Sequence, residues 1–128
     1  MVGTITNAGL EYEAKLLVGV STKPFKYIAL GSGTTAEAND QTALVSEITD
    51  NGGARAEGTA SYEASYKGKV TKTFTASGDL TVNECGLFDD DGDPAGNMYA
   101  RAKFTATKNL ASGDTLQITF TVTKGRAA

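Results

Sequence analysis

Thr115-Leu116-Gln117-Ile118-Thr119-Phe120-Thr121-Val122-Thr123 alternates apolar and polar residues without a break. Side chains on a strand change faces at every step. Leu116, Ile118, Phe120 and Val122 therefore share one face, and Thr115, Gln117, Thr119, Thr121 and Thr123 the other. The apolar face is expected to point inward and needs a second layer to cover it. The opposite row of Thr and Gln is flat and rich in donors and acceptors, and it suits either solvent or a partner.

Upstream, the chain supplies that second layer mostly as strands. Thr6 or Asn7 can cap a helix over residues 7–18, with Leu10, Ala14, Leu17 and Val18 as its apolar stripe. Glu11 and Lys15 form an i,i+4 pair, and Gly19 suits the position just past the helix end. Residues 25–30 read as a strand whose Ile28-Ala29-Leu30 run implies burial on both faces, with the helix over one of them. Gly31-Ser32-Gly33 ends it as a plain turn. Asp40 can cap a short second helix through 42–47. Residues 54–66 and 69–76 read as two strands joined by a hairpin turn at Lys67-Gly68, with Gly58 marking a bulge or a close backbone approach. Residues 80–88 form a further strand with a bulge near Glu84–Gly86. An acidic turn over 89–97, a strand over 98–104 and a loop over 108–114 complete the order. This pattern predicts one domain, residues 1–128, that is mainly β. Its architecture is an antiparallel β-sandwich with an N-terminal helix and a short second helix; a closed barrel is the competing geometry.

Composition narrows the function. The 128 residues carry a net charge of −3 with no basic run, which argues against binding nucleic acid or an anionic membrane surface. Neither a signal peptide nor an apolar run long enough to span a bilayer is present. One cysteine, Cys85, rules out an intrachain disulfide, and the chain has no histidine. Zinc therefore lacks its usual ligands, and Cys85 lacks a base that would make it a nucleophile, so it reads as a small buried hydrophobe. Asp89-Asp90-Asp91-Gly92-Asp93 has oxygen ligands suited to calcium, but Pro94 and Ala100 stand where an EF-hand loop needs Gly and Glu. Turn chemistry accounts for the same residues. Glu84, beside the expected bulge, reads as a group bonding to backbone rather than a catalytic acid. No enzyme, cofactor or metal is assigned.

Two stretches read as exposed contact loops. One is the 62–69 hairpin, with Tyr62, Tyr66, Lys67 and Lys69; tyrosine offers contact area with a polar tip. The other is the acidic turn led by Asp89, Asp90 and Asp91. Residues 1–6 are a third candidate contact.

Several segments together carry a resemblance: residues 5–10, 25–35, 42–44 with Glu47-Ile48, Glu84-Cys85-Gly86-Leu87-Phe88, and 111–116. The series resembles small virion structural proteins of tailed bacteriophages. Its first half is also similar to the baseplate-proximal domain of tail-collar fibre proteins. The family pattern often has Ala where Cys85 stands, which argues further against a chemical role for that thiol. The resemblance implies a structural component of the phage particle, made in the host cytoplasm and acting as a homo-oligomer, with a trimer the expected form. No repeat, shaft or receptor-binding module is expected after the domain. The expectation is therefore a capsid decoration (cement) protein binding across major capsid protein subunits. The alternative is a tail, baseplate or fibre-attachment protein, and a carbohydrate-binding module ranks below both.

Overall fold

The computed structural model describes residues 3–92 and 96–126. Its elements run β1 (Thr4–Ile5), α1 (Asn7–Leu17), β2 (Tyr27–Gly31), β3 (Ala56–Glu57), β4 (Thr59–Glu63), β5 (Lys67–Thr75), β6 (Leu80–Phe88), β7 (Met98–Leu110) and β8 (Thr115–Thr123). They form two antiparallel sheets, one ordered β1-β7-β6-β2-β3 and the other β4-β5-β8. The fold is the expected β-sandwich with an N-terminal helix. No closed barrel forms among the described residues.

The main core lies between the sheets, where Ile28 and Leu30 of β2 and Cys85 and Leu87 of β6 meet Val70 and Phe74 of β5 and Ile118 of β8. A second, smaller cluster joins Ala29, Leu44, Phe88 and Met98 on the far face of the larger sheet. Ile28, Ala29 and Leu30 are thus buried on both faces, as their unbroken apolar run implies. The cover on the second face includes Leu44, from the segment after β2, whereas the helix packs against β7.

The strand β8 has the expected bounds and alternation, yet only Ile118 on its apolar face is fully buried; Leu116, Phe120 and Val122 are half-buried. Helix α1 starts where predicted: Thr6 is the N-cap, its Oγ1 accepting from the Gly9 N–H at 2.8 Å. Glu11 and Lys15 pair at 3.1 Å, and Gly19 takes a positive φ of 80° just past the helix.

The helical stripe corrects one expectation. Leu10, Leu17 and Val18 are 54%, 85% and 73% exposed, and Gly9 is the buried helix residue. The helix docks by its backbone: a Cβ on Gly9 would collide with the Tyr99 carbonyl of β7. Choosing that face turns the leucine row outward.

The second expected helix, 42–47, does not form. Three backbone N–H groups that a helical segment would arrange otherwise are already committed here. Val45 and Ser46 donate to the Glu84 carboxylate, and Ile48 donates to the Leu30 carbonyl at 2.8 Å. Glu47 bridges to Gly31 as an isolated strand pair. The hairpin turn also moves: Glu63 pairs with Lys67, so the connection is Ala64-Ser65-Tyr66 and Gly68 lies within β5. Gly58 does mark a close approach, since a Cβ there would sit 2.6 Å from Val70 Cγ1. The β6 irregularity falls between Val82 and Glu84, with another at Leu87–Phe88. Strand β7 runs on to Leu110, because Leu80, Thr81 and Val82 pair with Leu110, Asn109 and Lys108 that were expected to be loop.

Candidate functional site

A pair of oppositely charged groups is buried inside the larger sheet. Glu84 and Arg101 are both wholly buried, and Arg101 Nε donates to Glu84 Oε1 at 2.8 Å. Arg101 stands opposite Gly86 in the β6–β7 register, so the pair is a diagonal cross-strand contact. The remaining acceptor capacity of Glu84 is filled by backbone N–H groups of Gly33 at 2.8 Å, Val45 at 3.0 Å and Ser46 at 2.9 Å. Burial alone pushes the Glu84 carboxyl up; Arg101 and these N–H groups outweigh it and hold the carboxyl below its ordinary value. Glu84 therefore bonds to backbone as its position predicted. Gly31 and Gly33 give it room, since a Cβ on either would strike the carboxylate. The Gly31-Ser32-Gly33 stretch is a cradle for a side chain of its own protein.

A second pair, Arg55 with Glu47 at 2.7 Å, lies beside it, and the Arg55 guanidinium stacks 3.7 Å from the centre of the Phe88 ring. Saturated in this way, these carboxylates clamp the segment after β2 onto the sheet.

The surface places the expected contact residues unevenly. Tyr62 and Tyr66 are 71% and 65% exposed at the tip of the β4–β5 hairpin, and the Tyr62 hydroxyl accepts from the Tyr66 N–H. Ser65 and Tyr66 both hold positive φ, at 70° and 67°. A bulky side chain rarely adopts that conformation, where the cost is about 1–2 kcal/mol. Lys67 and Lys69 are half-buried rather than exposed, and Lys69 pairs with Glu63 at 3.4 Å.

In the acidic turn, Asp89 is buried, accepting from the Asn97 backbone N–H at 2.7 Å and from its side-chain amide at 3.1 Å. That closes the turn from within and buries a residue that was expected to be exposed. Asp90 is half-buried and pairs with Lys23 at 2.9 Å, and Asp91 is exposed. Residues 93–95 of this turn, and residues 1–2 of the expected N-terminal contact, lie outside the described residues. Thr4 and Ile5 form β1 against β7, and Thr6 is buried as the helix cap.

Sequence reading missed the outward row on α1. Leu10, Leu17 and Val18, with Val20 just beyond, present apolar side chains to solvent. The inward row is instead Gly9, Glu13 and Leu16, one position away. Glu13 accepts from the Tyr99 hydroxyl and from Lys124 Nζ, both at 2.7 Å. Glu13 and Leu16 line one wall of a cleft of about 250 Å³, and Ala60, Ser61, Gly68 and Lys69 of the hairpin strands line another. Helix and hairpin thus flank a common hollow. Glycine at position 9 after a Thr cap was the available sign that the helix could approach a strand closely.

The described surface offers exposed apolar area on α1 and at the hairpin tip. No metal-binding group of His, Cys, Asp and Glu side chains occurs among the described residues. Among the described residues no helix is long and apolar enough to cross a membrane. No curated protein matches the sequence. A family model described as podophage GP4 fiber I protein gp80 matches residues 16–124, which takes in every strand from β2 to β8. The chain belongs to that podophage fibre-protein family, and with it to the structural proteins of the tailed-phage virion.

Proposed function

We propose that this chain is a non-enzymatic component of the phage tail fibre or its attachment, working through packed surfaces against tail or baseplate proteins and further copies of itself. The family match over residues 16–124 carries the reading, because its description names a fibre protein. That favours the fibre-attachment alternative over the capsid cement protein expected first.

Two surface features agree with an assembly role. Tyr66 stays exposed in a conformation that glycine would hold at lower cost. Leu17, Val18 and Val20 leave apolar area uncovered at the end of α1. On this reading the hairpin tip and the outer row of α1 are the contact surfaces, and synthesis is in the host cytoplasm.

Immunogold labelling of intact particles should place the chain on the tail. It should also co-purify with tails from a lysate that makes no heads. Label over the capsid, or stoichiometric binding of purified protein to undecorated heads, would restore the cement reading.

A further inference from the structure

The two sheets treat their edges differently. The larger sheet ends in β1 and β3, each two residues long. Beyond β1, the edge of β7 is obstructed: the Lys103 N–H donates to Glu37 Oε2 at 2.8 Å, and Lys103 and Lys108 add charge. Short strands and lysines are the usual protections against unwanted pairing.

The smaller sheet ends on one side in β8, which has none of these. Its nine residues contain no charge and no proline, and they span roughly 30 Å. Among the described residues its ladder runs only to β5, over all nine positions from Thr115–Thr75 to Thr123–Lys67. The other edge carries backbone donors and acceptors with no ladder partner. Two hollows of about 260 and 270 Å³ follow that edge in sequence, between β8 and the β7–β1 side of the other sheet. Ile5, Ala100, Phe104, Leu116, Phe120 and Val122 contribute to their walls. This is why the apolar face of β8 is only half-covered.

We infer that the free edge of β8 is a strand-addition site whose occupant is β8 of a second copy of this chain, running antiparallel. The occupant must be extended, uncharged along its length, and alternate with a period of two. Strand β8 meets each requirement, and it is self-complementary. With Thr119 opposite Thr119 of the partner copy, Leu116 faces Val122 and Ile118 faces Phe120, while Thr115 faces Thr123 and Gln117 faces Thr121. Apolar meets apolar and polar meets polar at every step, and neither paired strand carries a charge. The other strand at an edge of this sheet, β4, offers five residues including Glu63, so a head-to-tail pairing would leave much of β8 uncovered. The two-fold pairing joins two three-stranded sheets into one of six. It closes as a dimer, since an isologous contact uses the same patch on both copies.

Sedimentation of the purified full chain should show a dimer. Thr119→Lys, at an exposed position, sets two like charges face to face and should return a folded monomer whose melting temperature no longer rises with protein concentration. Thr119→Cys should form a disulfide-linked dimer under mild oxidation, because antiparallel partners lie close enough to bridge. A wild-type monomer, a trimer, a dimer that survives Thr119→Lys, or a Thr119→Cys dimer that fails to cross-link would each overturn the inference. The cross-link holds as a test even if the lysine variant folds poorly.

Discussion

Arg101 Nε and Glu84 Oε1 meet at 2.8 Å with neither side chain reaching solvent. Burying two charges is costly, and the pair is maintained because both carboxylate oxygens are saturated by backbone donors as well. Breaking one partner strands the other. Glu84→Gln should lose about 3–5 kcal/mol of stability, read as a lower denaturant midpoint. Adding Arg101→Met should recover part of that loss. A single-variant loss under about 1 kcal/mol would mean the pair contributes little, as exposed ion pairs do.

The same carboxylate makes stability depend on pH. Its folded-state pKa lies below its ordinary value of 4.5, so its contribution is complete above that value and is lost as pH falls through the lower folded one. Glu13, likewise held low, by Lys124 and Tyr99 against the upward push of burial, acts in the same direction. Urea midpoints should therefore be flat from neutral pH down to the ordinary carboxylate range and drop below it. The drop should shrink in Glu84→Gln; an equal drop in that variant would assign the effect to other groups.

Gly9 tests how the helix is docked. On helix propensity alone, Gly9→Ala should stabilise by about 1 kcal/mol. Its Cβ would meet the Tyr99 backbone, which cannot yield as a flexible side-chain tip can. The expected result is a net loss of about 1–3 kcal/mol, with faster hydrogen exchange over α1. A gain in stability would show that the helix does not pack at this distance.

Tyr66 separates folding from assembly. Tyr66→Gly should raise stability by about 0.5–1 kcal/mol, the relief of the left-handed conformation exceeding the added chain entropy. The same change should reduce incorporation into particles. If stability falls instead, the ring serves the fold; if incorporation is unchanged, the hairpin tip is not a contact.

Cys85 reports on the integrity of the core. Burial, with smaller effects from Glu37 and Glu84, pushes its thiol up to about 12. Iodoacetamide at mildly alkaline pH should leave the folded protein unlabelled and label it fully in urea. Rapid labelling of the native chain would contradict the buried placement.

Local signals were legible in the residues. Thr6 as cap, Gly19 past the helix, the alternation of β8 and the doubly buried Ile28-Ala29-Leu30 run each depend on neighbours a few positions away. Glu84 as a backbone-bonding group was legible too, as a carboxylate beside an expected bulge. Arg101 was not, because nothing in Ala100-Arg101-Ala102 says which carboxylate it will meet. The 42–47 segment misled for the same reason: its helical spacing is genuine, but the Glu84 carboxylate and the Leu30 carbonyl, remote in sequence, accept the N–H groups of Val45, Ser46 and Ile48.

The sequence by itself determined the strand faces, the helix start and the absence of a histidine or disulfide framework, since these follow from period, capping chemistry and composition. Tertiary structure alone decided which side of α1 faces inward, where the β4–β5 chain turns, and which strand edge stays open. Those outcomes depend on free-energy competition between distant partners. A backbone contact through Gly9 prevails over a leucine stripe, and the pairing of Glu63 with Lys67 prevails over the local turn preference of Gly68.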